Sequence, residues 1–216
     1  MNVYILTWLS FLSIFFQPEK PKVLIIGDSI SIGYFPFVKE ALKDKGVLYH
    51  NAGNAQSSTN GTNRIKNWLG EEHWDVIQFN WGLWDIAYRL PALTGTGVLD
   101  KNKGKLTTPP EEYKANMEKL IAELEKTGAK LIFVNTSYVP RNEPGRHFAD
   151  AKKYNRIAEK LARRHGVTIT DLYKPSVKIH AELGLGTDNV HYSMEGYKKL
   201  SNYVTHGLAN AMSLEN

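Results

Sequence analysis

The chain has 216 residues and 42% hydrophobic content, enough to build one sizeable core on the usual prior of about 100–200 residues per domain. Its formal charge is +5 and its pI about 9.2, but the basic residues are mixed with acidic ones. Even the densest basic run, Lys160 to Arg164, is interrupted by Leu161 and Ala162; no nucleic-acid partner is expected, while attraction to an acidic polysaccharide fits.

Cysteine is absent, which excludes disulfides, thiolate metal sites and a Cys nucleophile. Compartment is read instead from the N-terminus. Val3 to Phe16 is apolar apart from Thr7, Ser10 and Ser13, and the first charges are Glu19 and Lys20, just before Pro21. Such a segment resembles a secretory h-region and is too short to span a bilayer comfortably, although it lacks a basic start and a small-x-small cleavage site. Residues 1–20 are therefore expected to be a signal peptide or an apolar N-terminal arm. The expectation is a secreted or periplasmic protein without stable membrane insertion, with residues 21–216 forming a single domain.

From Pro21 onward, short β-rich apolar runs alternate with longer amphipathic stretches. The strands predicted in this way are Val23 to Ile26, Val47 to Tyr49, Val76 to Phe79, Leu131 to Val134 and Val167 to Ile169. Helices are expected from about Pro36 to Lys45, after a Thr108-Pro109-Pro110-Glu111 capping box up to a stop at Gly128, from Ala149 to His165, and from Met194 to Met212 behind Ser193. Leu90 to Thr107 reads as a long loop. The alternation implies a three-layer α/β/α, flavodoxin-like fold with a five-stranded, mainly parallel sheet.

Ligands of such sheets bind beyond the carboxyl ends of the strands, which directs attention to the residues that follow each run. After the first strand comes Gly27-Asp28-Ser29-Ile30-Ser31, where a serine at a helix start has free N–H groups and a favourable dipole beside it. Alone, Gly-Asp-Ser is more often an ordinary strand-to-helix turn. Of seven histidines, His191 stands out, because Asp188-Asn189-Val190-His191 sets a carboxylate three residues before an imidazole, ahead of the last helix. An Asp there can fix the imidazole tautomer and leave Nε2 free to take a serine proton; alone, the pair is more often a helix-start cap. His50, His73, His147, His165, His180 and His206 read as structural or solvated.

Taken together, Gly-Asp-Ser after strand one, Asp-x-x-His before the last helix and the parallel pattern between them resemble the SGNH or GDSL hydrolase family. The resemblance runs from about Pro21 to the last helix. It implies an esterase acting through an acyl-serine, often on acetyl groups of carbohydrates, with Ser29 as nucleophile and N–H donor, His191 as base and Asp188 as its orienting partner. No cofactor or metal is implied. Two family blocks depart from pattern: the oxyanion glycine's place falls on Gln56, with Gly53 as rival, and Gly82-Leu83-Trp84-Asp85 puts Trp84 where the family has its oxyanion asparagine. Asn80 is expected to supply that amide from the strand end, with the indole of Trp84 as the alternative. Asp28, Trp81, Trp84, Tyr88 and Arg89 are expected to face substrate, flat rings suiting sugar faces and a guanidinium suiting a uronate or sulfate. Two rival readings remain: cleavage of a glycosidic bond by Asp85 and Asp188, and glycan binding without turnover.

Overall fold

The computed structural model describes residues 19–91 and 97–213. The expected secretory segment falls almost wholly outside them. Five strands form one sheet: β1 (Lys22–Ile26), β2 (Val47–His50), β3 (Val76–Phe79), β7 (Lys130–Val134) and β8 (Thr168–Thr170). Their order is β2-β1-β3-β7-β8 and every pairing is parallel. β1 and β3 bury almost every residue, as strands covered on both faces must, which is why they read as largely apolar runs, interrupted in β3 by the buried Gln78. Helices α1 (Ser29–Leu42), α5 (Tyr173–Leu183) and α6 (Met194–Ser213) pack together, and α2 (Ser58–Leu69), α3 (Pro110–Glu125) and α4 (Phe148–Arg164) form a second group, completing a three-layer α/β/α fold.

Three local expectations are corrected. Helix α1 starts seven residues before Pro36, at Ser29, because the Asp28 carboxylate caps it by accepting from the Ile30 N–H at 2.9 Å; Pro36 sits inside the helix. Thr108 does not cap α3. Its N–H donates to the Asp85 carbonyl and its own carbonyl accepts from the Tyr154 hydroxyl, so it pins the approach to the helix instead. The stretch read as a loop between Leu90 and Thr107 contains paired backbone: β4 (Tyr88–Leu90) is flanked antiparallel by β5 (Val98–Leu99) and β6 (Lys105–Leu106), while residues 92–96 lie outside the described set.

Helices α2 and α5 were not anticipated, and both receive caps from distant residues. The Asp85 carboxylate, beyond β3, accepts from the Ser58 N–H at 2.9 Å and from its hydroxyl at 2.6 Å. Asn135, just beyond β7, offers its Oδ1 to the N–H groups of Leu172 and Tyr173 at 2.7 and 2.8 Å.

Candidate active site

The site begins where β1 leaves the sheet. Gly27 has no room for a Cβ, which would lie 2.6 Å from Ser31 Oγ, and its N–H is held by Asn51 Oδ1 at 2.8 Å. The chain turns there and starts α1, so Ser29 occupies the first helical position, half-buried, with the free N–H groups of a helix start around it. At the other end of the sequence, the turn between α5 and α6 is closed by an isolated bridge between Gly184 and Tyr192 and by the Leu185 N–H on the His191 carbonyl. That turn brings His191 Nε2 to 2.9 Å from Ser29 Oγ, across 162 positions of sequence.

The imidazole is oriented by Asn189. Its Oδ1 accepts from the backbone N–H of His191 at 3.0 Å, an Asx turn, and lies 2.8 Å from Nδ1 of the same residue. Because that oxygen only accepts, Nδ1 carries the hydrogen and Nε2 presents its lone pair to the serine hydroxyl. The geometry corrects the expectation for Asp188, which is exposed and sits at the cleft edge. An Asx turn folds the side chain two residues upstream under the ring, and two residues before His191 stands Asn189. Behind it, His180 donates from Nε2 to the Asn189 carbonyl at 2.7 Å, with its ring edge-on to Tyr138 and Tyr192. Burial and then the neighbouring Arg146 guanidinium hold the His191 pKa below its ordinary value.

A cleft of about 340 Å³ opens over the pair, lined among others by Trp84, Arg89, Glu143, Arg146 and Asp188. Trp84 and Arg89 are thus where they were expected, with the guanidinium 4.5 Å above the indole ring. A roomier groove of about 800 Å³ between β8 and α6 holds neither Ser29 nor His191.

Other expectations are corrected. Asp28 is buried as the α1 cap, its carboxyl pKa raised by desolvation. Trp81 is fully buried, packed on Trp68, Phe79 and the Cα of Gly61. The Tyr88 ring packs edge-on against His147 and its hydroxyl points to Asp150. Gln56 adopts φ 55°, the left-handed region where glycine is at ease, and its N–H already donates to Asn54 Oδ1 at 2.8 Å. Asn80 donates one of its two amide hydrogens to the Val134 carbonyl at 2.7 Å, tying the end of β3 to β7. A second serine–imidazole contact, Ser31 Oγ to His50 Nε2 at 2.7 Å, is sealed from substrate, since Ser31 is 2% exposed and also donates to the Asp28 carbonyl. Asp85 is buried against Ser58, with its pKa pushed up to about 6 by desolvation. Among the described residues no group of three His, Asp or Glu side chains is arranged to hold a metal ion.

Sequence reasoning passed over Asn189, Glu143 and Arg146. The last two lie in the loop that follows β7, at the carboxyl edge of the sheet where the family of folds places its ligands. That position was the available signal.

Comparison with known proteins agrees with the fold. Residues 25–199 match the model of the GDSL-like Lipase/Acylhydrolase family. Similar solved structures include an acetyl xylan esterase, AlAXEase, at 20% identity and TM-score 0.66, covering 85% of this chain and 97% of that one. A lipase/acylhydrolase from Enterococcus faecalis is 19% identical with TM-score 0.70 over 88% and 96% of the two chains. Axe2, an acetylxylan esterase from Geobacillus stearothermophilus, is 19% identical with TM-score 0.69 over 91% and 96%. No curated protein matches.

Proposed function

The chain belongs to the GDSL-like lipase/acylhydrolase family of serine ester hydrolases, and from that premise we propose that it removes acyl groups, most simply acetyl, from a carbohydrate through an acyl-serine intermediate. The observation that carries this reading is the 2.9 Å contact between Ser29 Oγ and the lone-pair nitrogen of His191. As Ser29 Oγ attacks the ester carbonyl, its proton passes to Nε2 and the carbonyl electron pair moves onto oxygen, which the Ser29 N–H meets at the start of α1. Collapse expels the sugar alkoxide, which takes the proton from Nε2. Water, activated by the same nitrogen, then releases the acid and frees the serine.

Asn189 does the orienting in this scheme. An amide oxygen fixes the tautomer as a carboxylate does but adds no charge to hold the imidazolium, so the base is correspondingly weaker. A carbohydrate alcohol is supported by Trp84, whose half-buried ring borders the cleft, and by the guanidinium over it. Two of the similar solved structures are acetyl xylan esterases. Secretion to the periplasm or medium, where such polymers occur, is supported by the apolar sequence from Val3 to Phe16. The glycosidase reading loses support because Asp85 is committed to Ser58 inside the core. Wild-type protein is expected to hydrolyse 4-nitrophenyl acetate and to release acetate from one of a panel of acetylated polysaccharides, with Ser29→Ala about 10⁴-fold slower or worse. Equal turnover by Ser29→Ala defeats the proposal, and saturable glycan binding without turnover of any ester replaces it with a binding protein.

A further inference from the structure

The developing oxyanion has few donors here. Among the groups expected from the sequence, the Gln56 N–H is taken by Asn54 and one Asn80 amide hydrogen by the Val134 carbonyl, which leaves the Ser29 N–H at the nucleophile itself, with the Gly53 N–H and the Trp84 indole as the other donors named from the sequence. One charged group lines the same cleft and has no assigned role. Arg146 is 5% exposed, donates from Nε to the Leu83 carbonyl at 2.6 Å and from Nη1 to Glu143 Oε1 at 2.6 Å. Among the described residues nothing accepts from its Nη2, and the side chain borders the cleft together with Ser29 and His191. A buried guanidinium that borders an open cleft, with Nε and Nη1 committed and Nη2 uncommitted, is suited to meet an anion.

Its support is rigid. Glu143 Oε2 accepts from the Gly145 N–H at 2.9 Å, and Lys101 Nζ bridges the carbonyls of Arg141 and Glu143. The Gly145 carbonyl accepts from the Tyr88 N–H at 2.7 Å, and a Cβ at Gly145 would lie 2.6 Å from Leu99. The loop after β7 is thus clamped against the small antiparallel sheet, and the guanidinium is fixed before substrate arrives.

We propose that Arg146 is a further catalytic residue of the ester hydrolysis described above, its Nη2–H meeting the carbonyl oxygen as charge develops on it, in place of the asparagine displaced by Trp84. When the Ser29 Oγ–carbon bond forms, the carbonyl π pair becomes an oxygen lone pair facing Ser29 N–H and Arg146 Nη2–H. When the carbonyl re-forms, that pair returns and the alkoxide leaves with the proton from His191. Arg146 itself keeps all its protons throughout. Its second effect is electrostatic: the fixed cation disfavours protonation of His191, keeping the base available.

The inference rests on the Ser29–His191 reading, and its test separates the two. With 4-nitrophenyl acetate, Arg146→Gln is expected to lose about 10² to 10³ in kcat, the usual cost of one oxyanion donor, with KM within a few-fold. The acid limb of its kcat/KM profile should move to higher pH, a shift that a merely structural role does not produce. Because removing one member of a buried ion pair strands the other, Glu143→Gln/Arg146→Gln is measured beside it and is expected to show the same loss while melting like wild type. Added guanidinium chloride at millimolar concentration should restore part of the rate of Arg146→Ala. A folded Arg146→Gln or double variant with kcat within threefold of wild type overturns the proposal for Arg146 and leaves that for Ser29 standing. An active Ser29→Ala defeats the parent reading instead.

Discussion

The two sides of the cleft are built by different rules. On one side, the nucleophile and its base stand at ends of regular elements: Ser29 opens α1 directly after β1, and His191 sits just before α6. On the other, the groups that sequence offers as oxyanion donors depend on hydrogen bonds settled by neighbours: Gln56 and Asn80 are engaged elsewhere, and Arg146 borders the cleft. Position in the chain specifies the first kind of residue. Side-chain direction, which only the folded surroundings fix, specifies the second.

The largest effect that sharpens this contrast concerns Asn189 and Asp188. Asn189→Leu removes the acceptor on Nδ1 and is expected to lower kcat by about 10² to 10³, since an imidazole in the wrong tautomer or orientation cannot take the serine proton. Asp188→Ala, exposed at the rim, should stay within about threefold. Measured kcat values in the reverse order would return the orienting role to the carboxylate and place the turn differently.

Next in size is a stability effect at a distant cap. Burial raises the Asp85 pKa from 3.8 to about 6, so the protonated carboxyl is favoured in the folded state. That contribution is fully present below 3.8 and is lost as pH rises through 6, about 3 kcal/mol at most. Thermal melts should therefore show wild type losing more stability between pH 4.5 and 8 than Asp85→Asn does. Parallel pH slopes for the two proteins would rule the assignment out.

Smaller again is the consequence of Asn80. Its amide closes the gap between β3 and β7 on the Val134 carbonyl, so Asn80→Ala is expected to cost about 1–3 kcal/mol in denaturant unfolding while leaving kcat within threefold. A drop in kcat of about 10² with unchanged stability would put Asn80 back in the oxyanion site. The smallest shift concerns pH. Burial and the Arg146 charge lower the His191 pKa, Glu143 opposes them, and Arg89 and Asp188 are the other charges lining the cleft. Neutral base therefore persists to lower pH, and the acid limb of kcat/KM should have its midpoint below 6.5. A midpoint above 6.5 contradicts the electrostatic balance.

The inner parallel strands were legible because they are mostly apolar and buried on two faces, even Gln78 in β3 being accommodated as it donates to the Tyr34 hydroxyl, and the edge strands β2 and β8 because short β-rich runs recur between the helical stretches. Strands β4 to β6 were not, being two or three residues long, with polar members such as Lys105. Helices α2 and α5 escaped for another reason. The first is rich in Ser, Thr and Asn with only Ile65 and Trp68 as large buried apolar anchors, and both start on caps supplied by Asp85 and Asn135 from elsewhere in the chain. The same limit applies at the site. Ser29 and His191 were readable from their neighbours in sequence, whereas Asn189 took the place of Asp188 because an Asx turn, not a motif, aims the side chain.

Everything depends on Ser29 being the nucleophile activated by His191. The most direct measurement is mass spectrometry of the intact protein and its peptides after treatment with a fluorophosphonate, which reacts with a serine only where a base activates it. One adduct on Ser29 in wild type, and a rate of labelling at least about 10²-fold lower in His191→Ala, is the expected result. No adduct, or an adduct on another serine that forms equally well without His191, would contradict the account.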